Sequence, residues 1–143
     1  MVEAVKYQWE VAAKWWTEYA QFCKDNGVEK IAIEEFPCQL VYNVRSLNKL
    51  VEVVGSDLGK MIGMNLDPSH LMIQGAEPIA AERTWNYVAV GCGRDLQWWK
   101  EFFSVCRRMG YNGYVSLEME DLTMSVEAGL QTSIDALNQT ISK

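Results

Sequence analysis

The sequence predicts an α/β fold with parallel strands, of the kind that builds α/β barrels. Three short apolar segments each end in an acidic residue, at Glu34, Asp67 and Glu118. Segments with helical periodicity separate them, and this alternation is typical of a parallel sheet. Because side chains alternate between the two faces of a strand, each acid shares its face with small or polar residues, and the large apolar residues take the other face. A parallel barrel has this pattern, with apolar side chains toward the outer helices and acids at the carboxyl ends of the strands.

The first half of the chain predicts a helix, a strand, a second helix and a second strand. Apolar residues at helical spacing predict a helix over 3–26, and Gly27 provides its C-terminal stop. The first strand ends at Glu34. A helix over Asn43–Val54 follows, and the second strand ends at Asp67. We interpret Glu35, directly after the first acid, as a solvated surface charge.

The second half predicts a third strand between helices. A short helix is expected over Glu77–Glu82, and an irregular stretch over 83–94. A helix over 95–109 begins at an aspartate N-cap, and a last helix over 125–140 begins at a serine N-cap. Between them, the third strand is expected over Gly113–Met119. No linker or repeat interrupts the chain, so residues 1–143 are predicted to form one domain.

Composition and charge exclude several functional classes. The chain has 143 residues, 22% of them charged, and a formal net charge of −6. A nucleic-acid-binding surface needs clustered lysine and arginine, which this acidic sequence lacks. No apolar run has the length of a membrane span, and the first ten residues carry charges where a secretory signal needs an apolar stretch. The expectation is a cytoplasmic protein with no nucleic-acid or membrane partner.

Several motifs resemble the sugar phosphate isomerase/epimerase family, the xylose-isomerase-like barrels related to tagatose epimerase and inosose dehydratase. Residues 31–34, followed by Pro37, resemble the fifth strand of that family. The segment 65–70 with 74–79 is similar to the sixth strand and its helix. Residues 90–121 resemble the seventh helix and the eighth strand. The resemblance covers nearly the whole chain and implies an incomplete barrel, its C-terminal portion, with about three parallel strands.

The resemblance also implies a metal site and an activity. Family members bind a divalent metal through a Glu, an Asp, a His and a second Glu. By motif, Glu34, Asp67 and Glu118 are the expected carboxylate ligands of manganese, magnesium, cobalt or zinc. Glu34 and Glu118 are also the expected acid/base pair that moves a proton on a carbon next to a sugar carbonyl, through an enediolate. His70 is expected to bind a hydroxyl of the sugar or polyol substrate or to complete the metal ligands, and a hydrogen-bonded structural histidine is the alternative.

The sequence departs from the family in ways that favour a second hypothesis. The seventh strand, which carries the ligand histidine, has no counterpart between Ala80 and Arg83, and the first four strands are missing. Phe36 and Met119 stand where relatives often have histidine. The alternative is therefore a catalytically incompetent barrel fragment that acts only as an interaction module. In either case, unpaired sheet edges predict a homo-oligomer or association through those edges.

Overall fold

The computed structural model describes residues 2–74 and 87–141. They fall into two compact units, Met1–Glu82 and Arg83–Lys143. The elements of the first unit are α1 (Val2–Asp25), β1 (Ile31–Glu34), α2 (Val44–Val54), a 3₁₀ turn (Gly59–Met61), β2 (Ile62–Asn65) and α3 (Pro68–Gln74). Those of the second unit are α4 (Leu96–Arg108) and α5 (Val126–Thr140). The fold is thus of the α/β class, and within the described residues no helix is both long and apolar enough to cross a membrane.

The sheet of the first unit is parallel, as predicted. β1 pairs with β2 in a register that places Ile31 beside Ile62 and Glu34 beside Asn65. A parallel pair needs a crossover connection, and α2 provides it. Within the described part of the chain, this sheet has two strands.

One face of the sheet is covered by helices, and the other is open. Ile62 is buried in a core cluster with Leu47, Leu50 and Val54 of α2, and Ile33 packs against the same cluster. On the opposite face, Ala32, Glu34 and Asn65 are exposed. Parallel sheets are usually covered on both faces, so this face of small and polar residues differs from the common arrangement within the described part of the chain.

The helix of residues 2–25 is longer than its buried part. Ala20 and Cys23 are its buried residues, and Trp9 and Trp16 pack against the core cluster. A second group of large side chains on the same helix is exposed: Tyr7, Val11, Trp15, Tyr19 and Phe22. The apolar stripe that predicted α1 is therefore only partly buried within its own unit.

In the second unit, two of the predicted helices form and the predicted strand does not. Helices α4 and α5 pack against each other, and each begins at its predicted N-cap, Asp95 or Ser125. Residues 113–119, predicted as the third strand, form no strand in the described structure. The prediction was wrong because a strand needs a neighbouring strand to satisfy its backbone, and the described residues of the second unit supply none.

Other predictions differ from the structure at element ends. The second strand ends at Asn65 instead of Asp67, because Asp67 turns the chain into α3. Helix α3 itself was not expected from the sequence. The helix predicted over Glu77–Glu82 lies outside the described residues, as do residues 80–83, where the resemblance led us to expect no counterpart of a seventh strand.

Candidate metal centre

The carboxyl ends of β1 and β2 bring three predicted site residues together. Glu34 is the last residue of β1, and Asp67 follows β2 by two residues. Asp67 accepts a hydrogen bond on Oδ1 from the backbone N–H of Ser69, at 2.8 Å, which starts α3 and carries His70 back toward the strands. One ligand atom from each of Glu34, Asp67 and His70 lies within 4.8 Å of the others.

His70 lies between the two carboxylates. Its Nε2 is 3.0 Å from Oε1 of Glu34 and 3.6 Å from Oδ2 of Asp67. An ionised carboxylate only accepts hydrogen bonds, so Nε2 carries the proton when it bonds to Glu34. The same nitrogen is the one placed to bind an ion between the carboxylates, after it loses that proton.

The three side chains form a gradient from buried to exposed. The His70 side chain is 7% exposed, that of Asp67 31% and that of Glu34 46%. The ring of Phe36 packs edge-on against the imidazole, with centroids 4.7 Å apart and planes at 73°. Phe36 therefore helps to fix the orientation of His70. The site is anchored at the histidine and accessible to small molecules at Glu34.

This donor set fits a divalent cation. Two carboxylates and one imidazole suit manganese, zinc, cobalt and similar ions, and three protein ligands leave coordination positions for water or substrate oxygens. Ligand atoms that share an ion with bonds of about 2.1 Å lie roughly 3 Å apart, which is close to the spacing around Nε2. Glu34 and Asp67 would hold such an ion together with His70.

The fourth predicted site residue, Glu118, belongs to the second unit. It is exposed and lies in the segment that forms no strand. Its assignment as metal ligand and acid/base group stays a prediction.

Glu35 is a site-proximal residue that sequence reasoning misjudged. It is 2% exposed, and neither carboxylate oxygen has a hydrogen-bond partner within the described residues. Burial raises the pKa of Glu35 above its usual range. The interpretation as a surface charge was wrong, and the alternation of the strand was the signal: one residue past Glu34, Glu35 returns to the face of Ile31 and Ile33, which the helices cover.

Comparison with known proteins finds a relative whose function is not described. The chain is similar to the uncharacterized protein YfiH of Bacillus subtilis (strain 168), with 47% identity over 180 residues that include 99% of this chain. The match takes in 56% of the relative, so the chain spans little more than half of that protein's length. No protein-family model matches the chain. No solved structure matches it either.

The alignment also shows that the relative is longer within the matched region. It runs over 180 residues, whereas this chain has 143, so the relative carries at least 37 residues there that this chain lacks. A βα unit with its connections needs about 30 residues. The difference is thus large enough for one such unit.

Proposed function

We propose that the chain is a metal-dependent isomerase or epimerase of sugars or polyols, built on an incomplete xylose-isomerase-like barrel. The cluster of Glu34, Asp67 and His70 carries this proposal. It lies at the carboxyl end of a parallel sheet, which is where α/β barrels have their active sites.

The open face of the sheet supports the barrel part of the proposal. Ala32 and Glu34 point to the face that the helices do not cover. In a barrel, this face lines the interior, and acids at the strand ends surround the mouth. The length of 143 residues fits an incomplete barrel, since a complete one needs about 250 residues.

The side chains divide the proposed chemistry between them. A divalent ion would stabilise negative charge on a substrate oxygen next to the carbon that loses its proton. Glu34, the most exposed member of the cluster, would take that proton on one side of the carbon, and Glu118 is the proposed acid/base group for the other side. Asp67 would serve only as a ligand. His70 would bind a substrate hydroxyl or complete the metal ligands.

Metal titration tests the centre directly. We expect isothermal titration calorimetry with manganese to show one ion per site. Asp67→Asn removes one carboxylate charge and should weaken binding by at least tenfold, the lower end of losses known for groups that support metal ligands. Glu29→Gln, an exposed acid before β1, is the matched control and should bind as the original chain does.

Deuterium exchange tests catalysis separately from metal binding. The loaded protein should move deuterium from solvent onto a carbon next to the carbonyl of a ketose, and Glu34→Gln should abolish the exchange. If manganese, magnesium, cobalt and zinc all fail to bind, the proposed function is wrong for this chain.

A second candidate is the interaction module without catalysis. The observation that favours it is the two-stranded sheet, whose outer edges are unpaired within the described residues, because such edges take up strands from other chains. Metal binding without deuterium exchange for any ketose would support this candidate.

A further inference from the structure

Asp67 uses its two carboxylate oxygens for two different contacts. Its Oδ1 accepts a hydrogen bond of 2.8 Å from the backbone N–H of Ser69, in the first turn of α3. Its Oδ2 lies 3.6 Å from Nε2 of His70, at the candidate metal centre. An acid directly before a helix satisfies donors that the first turn leaves free. Asp67 is therefore both the cap of α3 and a candidate ligand.

Helix α3 is the element that presents His70 to the centre. It has 7 residues, and an isolated helix of this length is not stable in water. Its side chains from Ser69 to Ile73 are half-buried, except His70, which is buried. Two contacts at the start of the helix hold it to the rest of the unit: the bond from Ser69 to Asp67, and the contact of 3.0 Å between His70 and Glu34.

A metal ion at the centre would link the sheet to this helix. Glu34 is the last residue of β1, and Asp67 directly precedes α3. An ion that binds both carboxylates fixes the start of α3 to the end of the sheet. The free energy of ion binding then opposes any motion that separates the two elements, because that motion releases the ion.

We propose that Asp67 couples metal binding to the formation of α3, so that an ion at the centre holds the helix, and His70 with it, against the sheet. The ion is that of the proposed function, and the inference rests on that proposal. It holds for both roles of His70, as a group that binds a substrate hydroxyl and as a metal ligand. Metal occupancy would in this way regulate the site, because the ion fixes the position of His70.

Hydrogen exchange of backbone amides, followed by NMR with and without zinc, tests the coupling. Zinc suits two carboxylates and an imidazole. Without zinc, we expect the amides of Met72 and Ile73 in α3 to exchange faster than that of Leu50, which is buried in α2 and reports opening of the whole unit. Equal rates at all three amides would contradict the proposal, because α3 would then open only together with the unit.

Zinc should remove most of this difference. At a free concentration about 100 times its dissociation constant, zinc slows exchange that requires release of the ion by up to about a hundredfold, and we expect at least about tenfold for Met72 and Ile73. Glu29→Gln, with its substitution at an exposed acid before β1, is the control and should respond to zinc as the original chain does.

Two substitutions of Asp67 separate the cap from the ligand. In Asp67→Ser, exchange in α3 without zinc should stay within about twofold of the original, because serine is a favoured N-cap. Zinc should no longer slow it, because serine has no second oxygen to face His70. Asp67→Ala removes both contacts and should accelerate exchange without zinc by roughly fivefold, as expected for the loss of a cap.

The outcomes distinguish the coupling from the proposed function. The chain has one histidine, so the ring signals of His70 report zinc at the centre in the same sample. A shift of these signals without slower exchange of Met72 and Ile73 would overturn the coupling and leave the metal centre standing, as would slowing that Asp67→Ser retains. Slowing that depends on Asp67, in a loaded protein that moves deuterium onto no ketose, would support the coupling and overturn the proposed function. Unshifted His70 signals would overturn both.

Discussion

Two neighbouring glutamates, Glu34 and Glu35, have opposite surroundings because successive side chains of a strand point to opposite faces. Glu34 reaches the open face and bonds to His70, while Glu35 is buried with no hydrogen-bond partner within the described residues. A buried carboxylate without a donor destabilises the folded state when it is ionised. At this scale, the position along the strand decides whether a glutamate is a candidate metal ligand or a buried group that destabilises the fold.

The destabilisation caused by Glu35 is measurable through the pH dependence of the free energy of unfolding. Because burial raises its pKa in the folded protein, the penalty is absent below the ordinary glutamate pKa of about 4.3 and appears as pH rises through the raised value. Glu35→Met should therefore increase the free energy of unfolding at pH 7 by about 1 to 2 kcal/mol, with a smaller gain at pH 4. Urea denaturation in a chelator measures both values. The exposed control Glu29→Met should change either by less than about 0.5 kcal/mol, and an equal gain at both pH values would contradict the argument.

Asp121 is the opposite case, a buried acid whose hydrogen bonds are satisfied. Its Oδ1 accepts from the hydroxyl and the N–H of Thr123, and its Oδ2 accepts from the N–H of Ala89, at 2.6, 2.8 and 2.9 Å. These bonds, that of the Thr123 hydroxyl first, lower the pKa of Asp121. The carboxylate therefore stabilises the second unit above the ordinary aspartate pKa, and this contribution is lost as pH falls through the lowered value.

Replacement of one carboxylate oxygen of Asp121 by an amide nitrogen should reveal how much its hydrogen bonds stabilise the second unit. In Asp121→Asn, only one side-chain oxygen remains as an acceptor for the N–H groups of Ala89 and Thr123. Hydrogen exchange of the Ala89 or the Thr123 amide should therefore accelerate at pH 6 to 7. NMR-detected hydrogen exchange measures both amides separately. Asp135→Asn, at an exposed position of α5, is the control. Unchanged protection at both amides would rule out the anchoring role.

At the scale of elements, helix α2 shows how local signals fix a helix start. The Asn43 side chain accepts a hydrogen bond from the N–H of Ser46 at 3.0 Å, and the Ser46 hydroxyl accepts one from the N–H of Asn43 at 3.0 Å. The two residues form a reciprocal capping box, which satisfies donors that the first turn of a helix leaves free. The helix begins at Val44 for this reason, and its apolar stripe then faces β2.

Loss of this cap should be visible against a matched substitution in the same helix. Asn43→Ala should lower the free energy of unfolding by about 1 kcal/mol. Asn48→Ala, at an exposed interior position of α2, should be neutral or slightly stabilising, because alanine has the higher helix propensity. Urea denaturation of the two variants gives the comparison. Equal effects would show that the cap does not contribute.

Strands depend less on local signals than helices do. The apolar periodicity was sufficient to predict α2, and together with the caps at Asp95 and Ser125 it predicted α4 and α5. The same kind of reasoning predicted β1 correctly and the strand at 113–119 wrongly, although the two sequences have the same polarity. A helix satisfies its backbone internally, whereas a strand forms only where another strand offers an edge.

At the scale of the whole molecule, the first unit exposes apolar and polar surface that its own described residues do not cover. Within the part of the chain that the structure describes, the sheet is open on one face and at its edges, and α1 exposes Trp15, Tyr19 and Phe22. Exposed apolar surface of this extent is typical of proteins that associate.

The sequence alone determined the α/β class, the parallel pairing of β1 with β2 and most helix positions. These follow from periodicity, capping and strand parity, which are short-range properties of the chain. Strand parity also placed Glu34 and Asp67 on one face, whereas the choice of Glu34, Asp67 and His70 as site residues came from the resemblance and stays a prediction. Only the tertiary structure decided the contact of His70 with both carboxylates and, within the described residues, the lack of a strand partner for residues 113–119. These depend on which segments are neighbours in space, and no local pattern in the chain encodes that.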